Sequence, residues 1–196
     1  MENQIEIVRK ETLLSVKNGT LYLEAIEDRF SRSKKFIAKI TPYRGDIRAE
    51  RLEILDAEIK QVLWTLYTNH TCFASWITKD NNEYLICAED LCGGQTVINV
   101  TNNSISSFTF NNPSGWIWSS HHLSPEENLL AVVGCGWGTP TWVKVYDFNV
   151  PMDLPLHEVY DGNDDVYEFI EWLDNDTYKV RLMSKEEKII KMNLNL

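Results

Sequence analysis

Trp116, Trp118, His121, His122, Cys135, Trp137 and Trp142 fall within 27 residues of one another. They bring indole, imidazole and thiol groups into one short stretch. Trp116 and Trp118 alternate along a strand-like segment, so both project from one sheet face. Cys135-Gly136-Trp137-Gly138-Thr139-Pro140 reads as a glycine-opened loop with an indole at its tip. An indole held between glycines offers a stacking surface for a ring-shaped ligand or an anchor for a protein partner. Core packing is the competing use, and seven tryptophans make the chain aromatic-rich.

Other chemistries are poorly served. His121 and His122 are adjacent, so on a strand they face opposite sides and do not chelate one ion. His70 and His157 lie far off and no Cys-x-x-Cys pair occurs, so neither a metal nor another cofactor is expected. His122-Leu123-Ser124 is half of the paired signature of two-histidine phosphoesterases, but His70-Thr71-Cys72 breaks the second half. No G-x-S-x-G elbow, P-loop or dinucleotide glycine pattern is present. Cys135 would need a neighbouring base or cation to act as a nucleophile, and a buried, inert thiol is its ordinary alternative. Asp161-Gly162-Asn163-Asp164-Asp165 begins like a calcium loop, yet Trp172 stands where the closing glutamate belongs. The segment reads as a polar hairpin turn. The candidate binding residues are therefore Trp118, His122, Cys135, Trp137, Trp142, Asp161, Asp164 and Asp165, with no catalytic or metal-ligating set.

The 196 residues carry 29 acidic against 19 basic side chains, a net charge of −10. Such a surface repels phosphate backbones, which argues against direct nucleic-acid binding, and would steer a basic protein partner. Solubility alone also explains it. No apolar run reaches the length of a membrane span, and Met1-Glu2-Asn3-Gln4 does not resemble an export signal. The four cysteines are then expected reduced and the location cytoplasmic.

Alternation of apolar and polar residues dominates the elements that must position these groups. Short strands are predicted at Ile5–Arg9, Leu13–Val16 and Thr20–Ile26, with Asn18-Gly19 as a hairpin turn, and at Lys34–Ile40, ended by Pro42. Ile47–Lys60 fits both a helix and a strand, and the neighbouring strands favour a strand. Further strands are predicted at 62–67, 73–78, 83–88, 95–100, 104–110, 116–121, 128–133, 141–148, 166–172, 177–182 and 188–194. No linker or low-complexity segment interrupts them, so residues 1–196 read as one domain.

A faint repeat runs through this series. Shifted by 45 residues, Leu85 falls on Leu130, Gly93 on Gly138, Thr96 on Thr141, Ile98 on Val143 and Val100 on Val145. Periods of that length mark stacked β units. His122-Leu123-Ser124-Pro125-Glu126-Glu127-Asn128-Leu129-Leu130-Ala131-Val132 resembles the S-P-D-G-x-x-L-A-V turn of WD-repeat and TolB-like β-propellers. Trp76–Cys87 and, off register, Trp172–Val180 look like degenerate copies, and Tyr146-Asp147 matches the common Trp-Asp position. Glu127 replaces the usual glycine, and the Gly-His pair of WD repeats is absent. The resemblance covers about the last 130 residues and implies an all-β fold of short antiparallel sheets in a small or incomplete propeller-like arrangement. An incomplete ring leaves open edges for a partner, or a second copy in a homodimer, to cover.

These readings favour a non-catalytic protein-interaction module (an inhibitor, immunity-type protein or adaptor) with an acidic surface and an aromatic loop patch. A nucleotide- or sugar-binding protein using the same tryptophans, or an enzyme without a recognisable motif, are the alternatives.

Overall fold

The computed structural model describes residues 4–22, 26–45, 48–69, 72–89, 94–109, 116–136 and 138–194. Its one helix among them, α1 (Gln4–Asn18), replaces the strands expected at Ile5–Arg9 and Leu13–Val16. Alternation over five residues was too short a window. Across the whole segment Glu6, Arg9, Lys10, Glu11, Leu13, Leu14 and Lys17 are good helix formers, and no glycine intervenes before Gly19. Asn18-Gly19 therefore ends a helix and is not a hairpin turn: the Gly19 N–H donates to the Ser15 carbonyl at 2.8 Å. A Cβ at Gly19 would lie 2.2 Å from that oxygen and 2.8 Å from the Arg44 carbonyl, so only glycine permits the approach.

The remaining elements form four antiparallel sheets in two compact units, Met1–Ser114 and Gly115–Leu196. In the first unit β1 (Thr20–Leu21), β3 (Phe36–Arg44), β4 (Arg48–Asp56) and β5 (Val62–Asn69) lie in that order, with β2 (Glu27–Phe30) also on β3. Of the ambiguous stretch Ile47–Lys60, Arg48–Asp56 is the strand β4, and a turn over 57–59 follows it. Strand β3 runs through Pro42 to Arg44, past the expected end. The Tyr22 N–H donates to the Pro42 carbonyl, so residue 42 turns its backbone toward β1 and its missing N–H costs β4 nothing. The second sheet is a meander of β6 (Cys72–Lys79), β7 (Asn82–Glu89), β8 (Gln95–Asn99) and β9 (Ser104–Phe108). Ala38, Ile40, Leu52 and Ile54 pack against Ala74, Leu85, Cys87, Ile98 and Val100.

The second unit repeats this plan. β10 (Ile117–Leu123), β11 (Leu129–Cys135), β12 (Thr141–Asp147) and β13 (Glu158–Asp161) form a four-stranded meander. β14 (Val166–Trp172), β15 (Thr177–Leu182) and β16 (Glu187–Lys191) form a three-stranded one. Leu129, Ala131, Val133, Val143, Val145 and Val159 pack against Val166, Phe169, Tyr178, Val180, Ile190 and Met192. The short strands β2 and β13 were not expected, and Asp161–Asp165 connects two sheets and is not a hairpin turn.

Two details unite the units. The Ser31 N–H donates to the Phe36 carbonyl at 2.9 Å, the Lys34 N–H to the Ser31 carbonyl at 3.0 Å, and Lys34 has φ +62°. Ser124, Leu129 and Glu127 repeat this with bonds of 2.9 and 2.9 Å and φ +59° at Glu127. The turn that carried the propeller resemblance is therefore doubled at residues 31–36, where Lys34 and not glycine takes the left-handed corner. Two residues before each serine, a backbone carbonyl accepts an indole N–H from the first strand of the next sheet. Trp76 Nε1 donates to the Arg29 carbonyl at 2.9 Å, and Trp172 Nε1 donates to the His122 carbonyl at 3.1 Å.

The 45-residue shift survives only in part. Leu85 pairs with Ile98, whereas Leu130 pairs with Tyr146, so the strand after Leu130 has slipped by three residues. Ile98 corresponds to Tyr146 and not to Val143. Gly93 lies outside the described residues.

Trp76→Phe and Trp172→Phe should each cost about 1–3 kcal/mol, since each loses a part-buried hydrogen bond and some ring volume. Urea denaturation should show additive losses in the double variant, because the two bonds lie in separate units.

Candidate functional site

Sheet pairing sorts the candidate residues onto two faces. Trp142, Lys144 and Tyr146 alternate along β12 on one face, opposite Gly134, Val132 and Leu130. Trp116 and Trp118 join that face: Trp116 packs on Trp142 with ring centroids 4.6 Å apart, and Trp118 stacks on Tyr146 at 5.6 Å. The expected common face of the two indoles is thus present, but both are buried. Gly134 makes room for them, since a Cβ there would meet the Ile117 carbonyl at 2.4 Å and the Trp116 ring at 2.8 Å.

A β-bulge between Trp118 and Ser120 then reverses the alternation. His122 pairs with Ala131 and so shares the face that packs on the last sheet. Its ring stacks on Phe169 at 4.2 Å and 14°, and its Nε2 lies 3.1 Å from the Ser120 hydroxyl. Burial, and secondarily the charge of His121, holds the imidazole pKa down at about 4. Burial also lowers His121, against a backbone hydrogen bond that raises it. Both histidines are pushed toward the neutral form, which suits packing better than charge.

Cys135 ends β11, pairs with Thr141 and is half-buried. The loop after it closes on Thr139, whose hydroxyl accepts the Gly136 N–H at 2.7 Å. Trp137 lies outside the described residues.

The polar part of the site is built at the edge of the same sheet. Trp142 Nε1 donates to Asp161 Oδ1 at 2.7 Å. Lys144 Nζ lies 2.8 Å from Glu158 and 3.4 Å from Asp161, and 5.0 Å from the centre of the Trp116 ring. One ammonium therefore serves two carboxylates and an aromatic face. The carboxylates remain open, with side-chain exposures of 39% for Glu158 and 49% for Asp161. The Trp116 Nε1 is buried with no hydrogen-bond partner among the described residues. Asp164 is bound by Lys188 Nζ at 2.6 Å, and the Asp165 carbonyl accepts the Met183 N–H at 3.0 Å.

The structure thus brings Trp142 and Asp161 together, adds Trp116, Lys144 and Glu158, and places His122 on the opposite face. Lys144 was open to discovery, since it sits two residues from Trp142 on a predicted strand. Glu158 was not, because the four-residue strand that carries it gave too short an alternation to read.

Among the described residues no cluster of three or more His, Cys, Asp or Glu side chains is arranged to hold a metal ion. No described helix is long and apolar enough to cross a membrane.

No known protein family and no curated protein matches the chain. Among solved structures, the β-propeller domain of Cps50 (Swd1) from Myceliophteria thermophila is similar, with a TM-score of 0.56 at 10% identity. That alignment covers 93% of this chain and 54% of the other. The uncharacterized protein lmo1340 from Listeria monocytogenes EGD-e aligns over 85% of this chain and 53% of its own, at 12% identity and a TM-score of 0.39. The chain spans about half the length of the solved structures it matches. The first likeness shows the fold: short antiparallel sheets of the β-propeller kind.

The depressed imidazole of His122 fixes a pH dependence. The unfolded chain binds a proton near pH 6.5 that the folded one refuses until about pH 4. Stability from this group is therefore full above pH 6.5 and lost as pH falls through that window. Thermal unfolding followed from pH 7 to 4 should show a shallower decline in His122→Phe, which keeps a ring against Phe169, than in the parent.

Proposed function

We propose that the chain is a non-catalytic protein-interaction module, an inhibitor, immunity-type or adaptor protein acting in the cytoplasm. The partner is a protein with a basic contact surface. The observation that carries this reading is the rim of Trp142, Asp161 and Glu158 around Lys144. Two half-exposed carboxylates there lie beside the half-buried indole of Trp142, and one lysine neutralises only part of their charge. A basic side chain from a partner would complete the cluster. The surrounding acidity, −10 over the chain, supports fast encounter with such a partner and disfavours phosphate backbones. The propeller-like fold agrees with a scaffold that presents connecting loops and strand edges, although a fold by itself names no activity. Residues 1–196 act as one domain in this reading, and open sheet edges provide for a homodimer.

Partners found by proximity labelling in cells can be tested as purified proteins against the immobilised chain. Trp142→Ala should weaken the authentic complex tenfold or more, and its association rate should fall steeply with added salt. Binding that is unchanged in Trp142→Ala and indifferent to salt would overturn the site. Calorimetric unfolding tests the one-domain reading: a single transition is expected, and two separated transitions would refute it.

A further inference from the structure

Three of the four sheets carry four or more strands, and the last has three, in the order β14-β15-β16. Among the described residues β16 pairs with β15 alone. The direction of its free backbone groups follows from the flanking hydrogen bonds. The Met192 N–H donates to the Asp176 carbonyl and the Leu182 N–H to the Glu186 carbonyl, so even-numbered residues of β16 face β15. Glu187, Ile189 and Lys191 consequently aim their N–H and C=O groups away from the sheet. Ile189 is 61% exposed, while its neighbour Ile190 is buried in the core.

The side chains on this edge are complementary to themselves. In an antiparallel pair centred on Ile189, Glu187 of one copy faces Lys191 of the other, at both ends, and the two Ile189 side chains meet between them. Each facing pair also exchanges two backbone hydrogen bonds, because all three residues point their polar groups outward. Sliding the register by two residues leaves a lysine without its carboxylate and parts the isoleucines. Lys191 is free to move: its side chain is 75% exposed and its carboxylate neighbour Asp176 is 3.8 Å away. Glu187 is held by Lys179 at 2.5 Å, which fixes it at the edge while 45% of its side chain stays exposed.

We propose that β16 is the homodimer edge, pairing antiparallel with β16 of a second copy about a two-fold axis through Ile189, so that two three-stranded sheets join into one. The proposal deepens the self-association part of the proposed function and is independent of the Trp142 rim.

The test is sedimentation of the full 196-residue chain over a wide concentration range. The parent should pass from monomer to dimer as concentration rises. Ile189→Pro should shift dissociation tenfold or more toward monomer with unchanged circular dichroism, since the N–H it removes serves no bond to β15. Lys191→Glu should also weaken the dimer, by placing like charges opposite each other. Adding Glu187→Gln to Lys191→Glu should restore much of it, because the facing like charges are removed while residue 187 keeps an acceptor for Lys179. A parent that stays monomeric throughout would overturn both the homodimer and this edge. A dimer indifferent to Ile189→Pro, or one that Glu187→Gln does not strengthen in the Lys191→Glu variant, would overturn the edge and its register while leaving self-association in place.

Discussion

In each unit an indole reaches from the first strand of one sheet to a backbone carbonyl of its neighbour, Trp76 to Arg29 and Trp172 to His122. The bond sits two residues from a serine-cornered hairpin, where the chain reverses into the most deeply buried strand of the preceding sheet or into its partner. A second polar tie lies beside it. Glu83 accepts the Ser33 N–H and hydroxyl at 2.7 and 2.6 Å, and Asn175 donates to Asn128 at 2.9 Å. Two sheets that meet through side chains alone can slide along each other. A directed bond to a fixed carbonyl at one end sets their register, and apolar packing then fills the remainder.

That packing is severe for the strands involved. Every residue from Leu129 to Gly134 of β11 is buried, as is every residue from Tyr84 to Ala88 of β7. A strand buried on both faces gives up the alternation by which half-buried strands are recognised. It gains on the order of 1.5–3 kcal/mol for each fully buried aliphatic side chain. It also requires corners that reverse the chain tightly at the rim. Lys34 and Glu127 take left-handed corners with ordinary side chains, a conformation that costs roughly 1–2 kcal/mol without glycine. The apolar interior offsets the strain, so these corners form without glycine.

The polar chemistry gathers where this packing stops. On the edge of the third sheet one lysine divides itself between two carboxylates and an indole face, and on the edge of the fourth a glutamate and a lysine flank an exposed isoleucine. Both places combine unmatched backbone or side-chain polarity with apolar surface, the combination that a partner's complementary groups relieve. The histidines, by contrast, are absorbed into the interior as near-neutral rings.

The sequence by itself determined the class of the fold and most of its strands, because alternation and turn residues act over spans of a few residues. Ser124 to Val132 was legible as a propeller turn because its serine, its corner and its apolar run are contiguous. It did not reveal the matching turn at Ser31, whose Arg32, Lys34 and Lys35 share backbone geometry and no side-chain chemistry with Pro125, Glu127 and Asn128. Nor did it reveal α1, where five alternating residues concealed fifteen with helical preference. Only tertiary structure decided the site. The bulge before Ser120 turned His122 away from Trp118, a single extra residue being enough to exchange the faces of everything after it. The neighbours of Lys144 come from β13, 14 and 17 residues further along the chain, a pairing set by hairpin length and not by any local preference.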